Sequence, residues 1–179
     1  CEVLDGVGPR IKRLFGMIDG VLTLSQAGRT ASAPAPVEVG PLVEEVAASL
    51  ALPPGFEVRV APGLPTVLAP RAALTQVFQN LIENAVKHHA SDRGVVEVGG
   101  RDAGAYVELT VADDGPGIPP ELRERAFRLF QTLGRSSAGT GVGLALVRKV
   151  VEANGGTIRV EDRGGGPGTC FRFTWPKGT

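Results

Sequence analysis

Apolar residues recur in the first part of the chain at Leu4, Val7, Ile11, Leu14, Ile18 and Val21. The spacing alternates between three and four, which is a heptad seam on a helix. Phe15, Met17, Leu22 and Leu24 widen the stripe over residues 3–25. Gly6, Gly8 and Pro9 weaken the first turns, so the helix begins or kinks near Pro9. Such a stripe needs cover, either from its own domain or from a partner helix in a bundle. Residues 28–36, a Gly/Ala/Ser/Pro stretch with Pro34 and Pro36, end that pattern and read as a boundary.

Beyond the boundary the periods are mixed. Leu42, Val43, Val46 and Leu50 predict a helix over 41–50, and the alternation of 56–60 predicts a strand. A second short strand follows at 66–69, then a longer helix over 71–88 with Leu74, Phe78, Leu81 and Ala85 on its apolar side. Strands are predicted over 95–100 and 105–112, joined by a hairpin-like turn at Asp102-Ala103-Gly104. A Gly/Pro-rich loop covers 113–120, and Pro119-Pro120-Glu121 opens a short helix. A loop spans 131–139, a helix runs over 141–153 and stops at Asn154-Gly155-Gly156, and two strands, 157–162 and 169–175, flank a glycine turn at 164–168. This order predicts an α+β domain: one sheet with helices on one face.

Composition narrows the classes. The chain has 179 residues, 42% of them hydrophobic, which is a folded rather than a disordered composition. Lys+Arg and Asp+Glu both number 19, so no net charge draws it to nucleic acid or to an anionic membrane. Two cysteines, Cys1 and Cys170, make no disulfide framework and point to a reducing, cytoplasmic setting. No apolar run approaches the roughly 20 residues of a membrane span, and no signal-peptide pattern is visible. A start at Cys rather than Met reads as a piece of a longer protein.

Three runs carry candidate chemistry. In the first, Asn80-Leu-Ile-Glu-Asn84-Ala-Val-Lys87-His88-His89, positions 80, 84 and 87 share one helix face. Two amides and an ammonium in a row suit a metal-bound polyphosphate, because hard cations take amide and phosphate oxygens and lysine neutralises phosphate. Alone, the run reads equally as a solvated polar face. The second, Val111-Ala-Asp113-Asp-Gly115-Pro-Gly117-Ile118, sets a carboxylate at a strand end beside two glycines. A carboxylate there accepts from an exocyclic amine, and the glycines let a flat ring approach the main chain; a simple turn uses the same residues. The third, Gly139-Thr140-Gly141-Val142-Gly143, runs straight into the apolar helix that begins at Leu144. Glycines at a helix N-terminus present free N–H groups to an anion. No hydrophobic strand immediately precedes Gly139 and no Gly-Lys-Ser/Thr occurs, so neither common phosphate-loop fingerprint applies.

The order of these runs, with Arg128-Leu-Phe-Gln-Thr-Leu133 between the last two, is more specific than any part. Residues about 37–179 resemble the histidine kinase branch of the ATPases that share the Bergerat nucleotide-binding fold with gyrase, mismatch-repair and heat-shock chaperone ATPases. The phrases Phe130-Gln-Thr-Leu133 and Phe171-Arg-Phe-Thr-Trp-Pro176 are similar to the kinases that follow PAS or phytochrome-type sensors. Residues 1–29 resemble the second helix of a dimerisation and phosphotransfer domain, with 30–36 as linker. The resemblance implies a two-layer sandwich with a mixed sheet, and ATP and Mg²⁺ as ligands. It implies Asn80, Asn84 and Lys87 as the catalytic set: Asn84 on Mg²⁺, Asn80 helping, and Lys87 on the phosphates. It further implies Asp113 on the adenine amine with Thr169 supporting it through water, Gly115, Gly117 and Ile118 shaping the purine pocket, and His88 near the nucleotide. Phe130 belongs to the family's phenylalanine box. Gly139, Thr140, Gly141, Val142, Gly143 and Leu144 would form the lid hinge and phosphate turn, with Arg135 either on a phosphate or a solvated loop arginine. Asp114 stands where the family usually has Asn, with little effect expected.

The family's acceptor histidine, in a His-Glu/Asp context, has no counterpart, because the histidines are His88 and His89 on the nucleotide helix. The reading is therefore the ATP site of a two-component protein-histidine kinase. Its implied partners are a histidine-bearing dimerisation domain, a response regulator, and a second copy through the front helix. The alternatives are a degenerate nucleotide-binding module that signals by conformation, and an ATP-gated clamp ATPase of the same fold. The clamps carry an acid where Asn80 stands, which disfavours the last.

Overall fold

The computed structural model describes residues 33–130 and 141–177. The seam helix predicted over 3–25 and the loop 131–139 lie outside the described residues. The described chain opens with strand β1 (Ala35–Glu38) and helix α1 (Val39–Ser49), then β2 (Gly55–Val60), β3 (Thr66–Ala69) and the long helix α2 (Arg71–Lys87). Next come β4 (Arg93–Ala103), β5 (Tyr106–Asp113), a 3-10 turn (Pro120–Leu122) and the short helix α3 (Arg123–Ala126). Helix α4 (Gly143–Ala153) and strands β6 (Ile158–Asp162) and β7 (Thr169–Pro176) complete it.

Five strands form one sheet in the order β2-β4-β5-β7-β6. The β2–β4 pair is parallel and the other pairs are antiparallel, which makes the sheet mixed as expected. β4 is longer than the expected 95–100, because β5 pairs with it from Val96↔Asp113 to Ala103↔Tyr106. The turn is thus Gly104-Ala105, where Gly104 takes φ +77° and donates its N–H to Asp102 Oδ1 at 2.9 Å.

The N-terminal boundary also differs from the sequence expectation. The boundary stretch was expected to be unpaired up to residue 36, yet Ala35 and Pro36 belong to β1, which pairs antiparallel with β3. A proline fits there because this is a two-stranded edge ribbon, where a missing N–H is tolerated. Trp175 Nε1 donates to the Leu68 carbonyl at 3.3 Å and ties the ribbon to the main sheet.

The two faces of the sheet differ in chemistry. On one, Val96, Val98, Val107, Leu109, Val111, Phe171, Phe173 and Trp175 are buried together with the apolar stripes of α1, α2 and α4. Phe78 on α2 meets Phe173 edge-on at 5.8 Å between centroids. The alternate positions face away and carry ion pairs. Glu108 receives Arg101 Nε at 2.8 Å and Arg172 Nη1 at 2.7 Å, with Arg159 3.8 Å away. Among the described residues these arginines lie over the Glu108 side chain, which is 8% exposed. The hydrogen bond from Arg101, and then Arg172, hold its carboxyl below the usual range against the opposing effect of burial.

The helix–sheet layer is where the stability resides. Phe78→Ala is expected to cost about 3–5 kcal/mol, through lost burial and an unfilled cavity. Glu45→Ala, which breaks the exposed Arg71–Glu45 pair, should cost under about 1 kcal/mol. Urea midpoints of the two variants check this, and similar losses would contradict it.

Candidate functional site

Helix α2 buries Ala73, Leu74, Val77, Phe78, Leu81, Ile82 and Ala85. That leaves Asn80 and Asn84 half-buried on its flank and Lys87 exposed at its end. Asn80 donates from Nδ2 to the Gln76 carbonyl at 2.8 Å, which aims its Oδ1 elsewhere. A Cβ at Gly143, the first residue of α4, would lie 2.9 Å from that Oδ1. Asn80 therefore abuts the start of α4, and glycine at 143 makes the approach possible. The side chains of Asn84 and Lys87 make no hydrogen bond or ion pair to a described residue.

Strand parity positions the second element. Asp113 follows Val107, Leu109 and Val111 at steps of two, so its carboxylate lies on the helix side of the sheet, 6% exposed. It accepts the Gly115 N–H at 3.0 Å and the backbone N–H of Thr169, its register partner on β7. Burial nevertheless raises the Asp113 carboxyl above its ordinary value, outweighing both donors. Gly117 and Gly168, at φ +80° and +135°, close the loop around it. A Cβ on Gly168 would fall 1.9 Å from the Asp113 carbonyl oxygen, so only glycine fits there.

Asp114 has hydrogen-bond partners of its own. Its Oδ1 accepts the Val95 N–H at 2.7 Å and lies 3.1 Å from His89 Nε2. Burial pulls its carboxyl up, but these donors prevail and hold it below the ordinary value. Neighbouring carboxylates are thus shifted in opposite directions by their surroundings. His88, the expected nucleotide neighbour, caps α2 with its N–H on the Asn84 carbonyl at 3.1 Å. Its imidazole is pushed down by burial and then by the Lys87 charge, which favours the neutral ring.

Gly141 adopts φ +69° and Val142, 3% exposed, caps α4, which has no side-chain N-cap. Among the described residues no side chain caps the first N–H groups of this eleven-residue helix, and such groups suit an anion. Phe130, at φ +61° and 46% exposed, donates its N–H to the Gly141 carbonyl at 2.8 Å. Ile118 and Leu144 pack partly buried against the core. Arg135, Gly139 and Thr140 lie outside the described residues. The site as described is a buried acceptor, a glycine-lined loop, a helix N-terminus with no side-chain cap among the described residues, and an amide–ammonium face. Among the described residues no group of three or more His, Cys, Asp or Glu is placed to hold a metal. The amide oxygens of Asn80 and Asn84 fit a hard cation that arrives on phosphate oxygens instead.

Comparison with known proteins matches this geometry. Residues 69–179 match the family of histidine kinase-, DNA gyrase B-, and HSP90-like ATPases. The methanogenesis regulatory histidine kinase FilI of Methanothrix harundinacea (strain 6Ac) is 35% identical over 171 residues, 93% of this chain and 19% of FilI. The chain thus spans about a fifth of that relative's length. Full-length ShkA in complex with AMPPNP is 32% identical with a TM-score of 0.75, over 99% of this chain and 38% of that one. The histidine kinase ThkA, in complex with the response regulator TrrA, is 25% identical with a TM-score of 0.71, over 94% and 48%. With the mixed sheet and the single helical layer, the chain belongs to the histidine kinase-, DNA gyrase B-, and HSP90-like ATPase family, with the fold of the histidine kinase catalytic domains.

Proposed function

We propose that this chain is the ATP-binding catalytic part of a two-component sensor histidine kinase, which transfers the γ-phosphoryl of ATP to a histidine on a dimerisation domain. The observation that carries the reading is the set of a buried carboxylate, Asp113, the start of α4 lying against Asn80, and Asn84 and Lys87 side chains that make no hydrogen bond or ion pair to a described residue. Asp113 accepts from the adenine amine, and Gly115, Gly117 and Ile118 let the purine lie against the main chain. The N–H groups of α4 and the Lys87 ammonium hold the phosphates. Asn84, with Asn80 beside it, takes the Mg²⁺ that arrives with them, and that ion neutralises charge on the phosphate oxygens. Asn80 is an amide and no base, so water is not activated and the phosphoryl group is kept for the acceptor.

FilI, ShkA and ThkA support the kinase reading, and the ThkA complex supports a response regulator as the partner further along. The heptad seam supports a homodimer through residues 1–29, and use of ATP supports action in the cytoplasm. No helix among the described residues is long and apolar enough to cross a membrane.

Calorimetry with a non-hydrolysable ATP analogue should show binding that needs Mg²⁺. Asn84→Ala should abolish the Mg²⁺ dependence, and no binding at millimolar nucleotide would falsify the reading. Asp113→Asn separates function from stability. Burial raises the pKa of this acid, so the folded chain holds the proton more tightly than the unfolded one. Ionised Asp113 therefore costs stability at any pH above its folded pKa, and the cost disappears below its unfolded value of about 4. At pH 7 the Asp113→Asn protein without nucleotide should melt higher than the parent, with the gain vanishing in acid. Its ATP affinity should fall about 5- to 150-fold, the equivalent of about 1–3 kcal/mol for a mispaired buried group. A variant that binds ATP like the parent would remove Asp113 from the adenine role.

Incubated with labelled ATP, the chain should leave no acid-labile label on itself and should label a supplied dimerisation domain that bears the histidine. Label on His88 or His89 would contradict the assignment.

A further inference from the structure

We propose that His89 is a positioning residue that fastens the adenine-reading loop to the end of α2 through Asp114, and thereby sets the preference for adenine over guanine. The proposal rests on the adenine role of Asp113 and asks what holds that carboxylate in place.

The hydrogen bonds fix the proton on the ring. The Ser91 N–H donates to His89 Nδ1 at 3.1 Å, so Nδ1 is the acceptor nitrogen. The proton of the neutral ring then sits on Nε2, which donates to Asp114 Oδ1 at 3.1 Å. The same oxygen accepts the Val95 N–H at 2.7 Å. The His89 side chain is 8% exposed, and Phe56 on β2 meets its ring at 90° with centroids 5.3 Å apart.

The surrounding backbone is cut to fit this arrangement. A Cβ at Gly94 would lie 2.8 Å from His89 Nε2, 2.9 Å from Phe56 Cε1 and 3.0 Å from Asp114 Oδ1. A Cβ at Gly115 would lie 3.3 Å from His89 Cδ2. Four segments thus meet at one imidazole: the end of α2, β2, the start of β4, and the loop that leaves β5.

The link to base recognition is short. Asp114 is the residue after Asp113, and Gly115, packed on the ring, donates the N–H that orients the Asp113 carboxylate. α2 in turn carries Asn80, Asn84 and Lys87. His89 therefore sets the distance between the adenine acceptor and the phosphate-side face. Displacement of about 1 Å at such a site costs up to about 100-fold.

His89→Ala should weaken ATP binding about tenfold or more while leaving GTP binding nearly unchanged, so that the ATP-to-GTP affinity ratio collapses. A residue that only stabilised the fold would lower the melting temperature and leave that ratio intact. His89→Gln, whose amide N–H reaches the place of Nε2–H, should restore most of the ratio. Asp114→Asn keeps an acceptor oxygen for both donors and should behave as the parent. Asp114→Ala should reproduce His89→Ala, and the double alanine variant should lose no more than either alone. In protein without nucleotide, amide exchange at Val95 and Gly115 should accelerate in His89→Ala and stay unchanged at Leu81. An unchanged ATP-to-GTP ratio in His89→Ala overturns the specificity role, and unchanged exchange at Val95 and Gly115 overturns the fastening itself. A parent protein that binds neither nucleotide overturns the proposed function and the specificity role together, and exchange then decides the fastening on its own.

Discussion

The site depends on the side of the sheet to which Asp113 points. Strand β5 alternates, and its inward positions are Val107, Leu109 and Val111 before it ends at Asp113. Those three valine and leucine side chains are held by the packing of α2 and α4, so the strand cannot slip by one residue without expelling its apolar set into water. The same constraint that builds the core therefore delivers a carboxylate to the inside of the domain. Pairing of Asp113 with Thr169 on β7 then provides the N–H that meets it.

Burying an acid this way is costly, and the structure leaves that cost in place. The Gly115 and Thr169 donors do not overcome the loss of water, and the carboxyl stays raised. Asp114, one residue on and half-exposed, is fully compensated by Val95 and His89 and is lowered. One carboxylate is thus held for the architecture and the other is left short of donors. In the proposed function a ligand amine at Asp113 would supply what the fold withholds, which would tie binding to relief of desolvation.

The outer face of the sheet follows a different logic. Its charges pair among themselves: Glu108 with Arg101 and Arg172, Glu161 with Arg159 and Arg172, and Glu97 with Arg163. The exposed pairs among them contribute little net stability each, since solvent screens them. They keep the face polar and evenly charged, so the apolar burial is confined to the helix side.

Much of the fold was legible because it is written in local periods. The helix carrying Asn80, Asn84 and Lys87, the alternation of β5 into Asp113, and the glycines before α4 were each read within one turn or one strand of sequence. Asparagines at i and i+4 share a flank whatever the protein around them. Other features belong to the tertiary structure alone. The strand at Ala35–Glu38 exists because β3 pairs with it, and no local propensity of a proline-rich stretch predicts that. Gly168, read as one of several turn glycines, turned out to lie against the Asp113 carbonyl. His89 and Asp114 stand 25 residues apart, and nothing local in the sequence joins them. Hydrogen bonds between distant segments leave no period in the sequence. The face that carries Asn80, Asn84 and Lys87 was determined by the sequence itself, whereas its tie to the loop after Asp113 was decided only when sheet register brought His89, Val95 and Asp114 together.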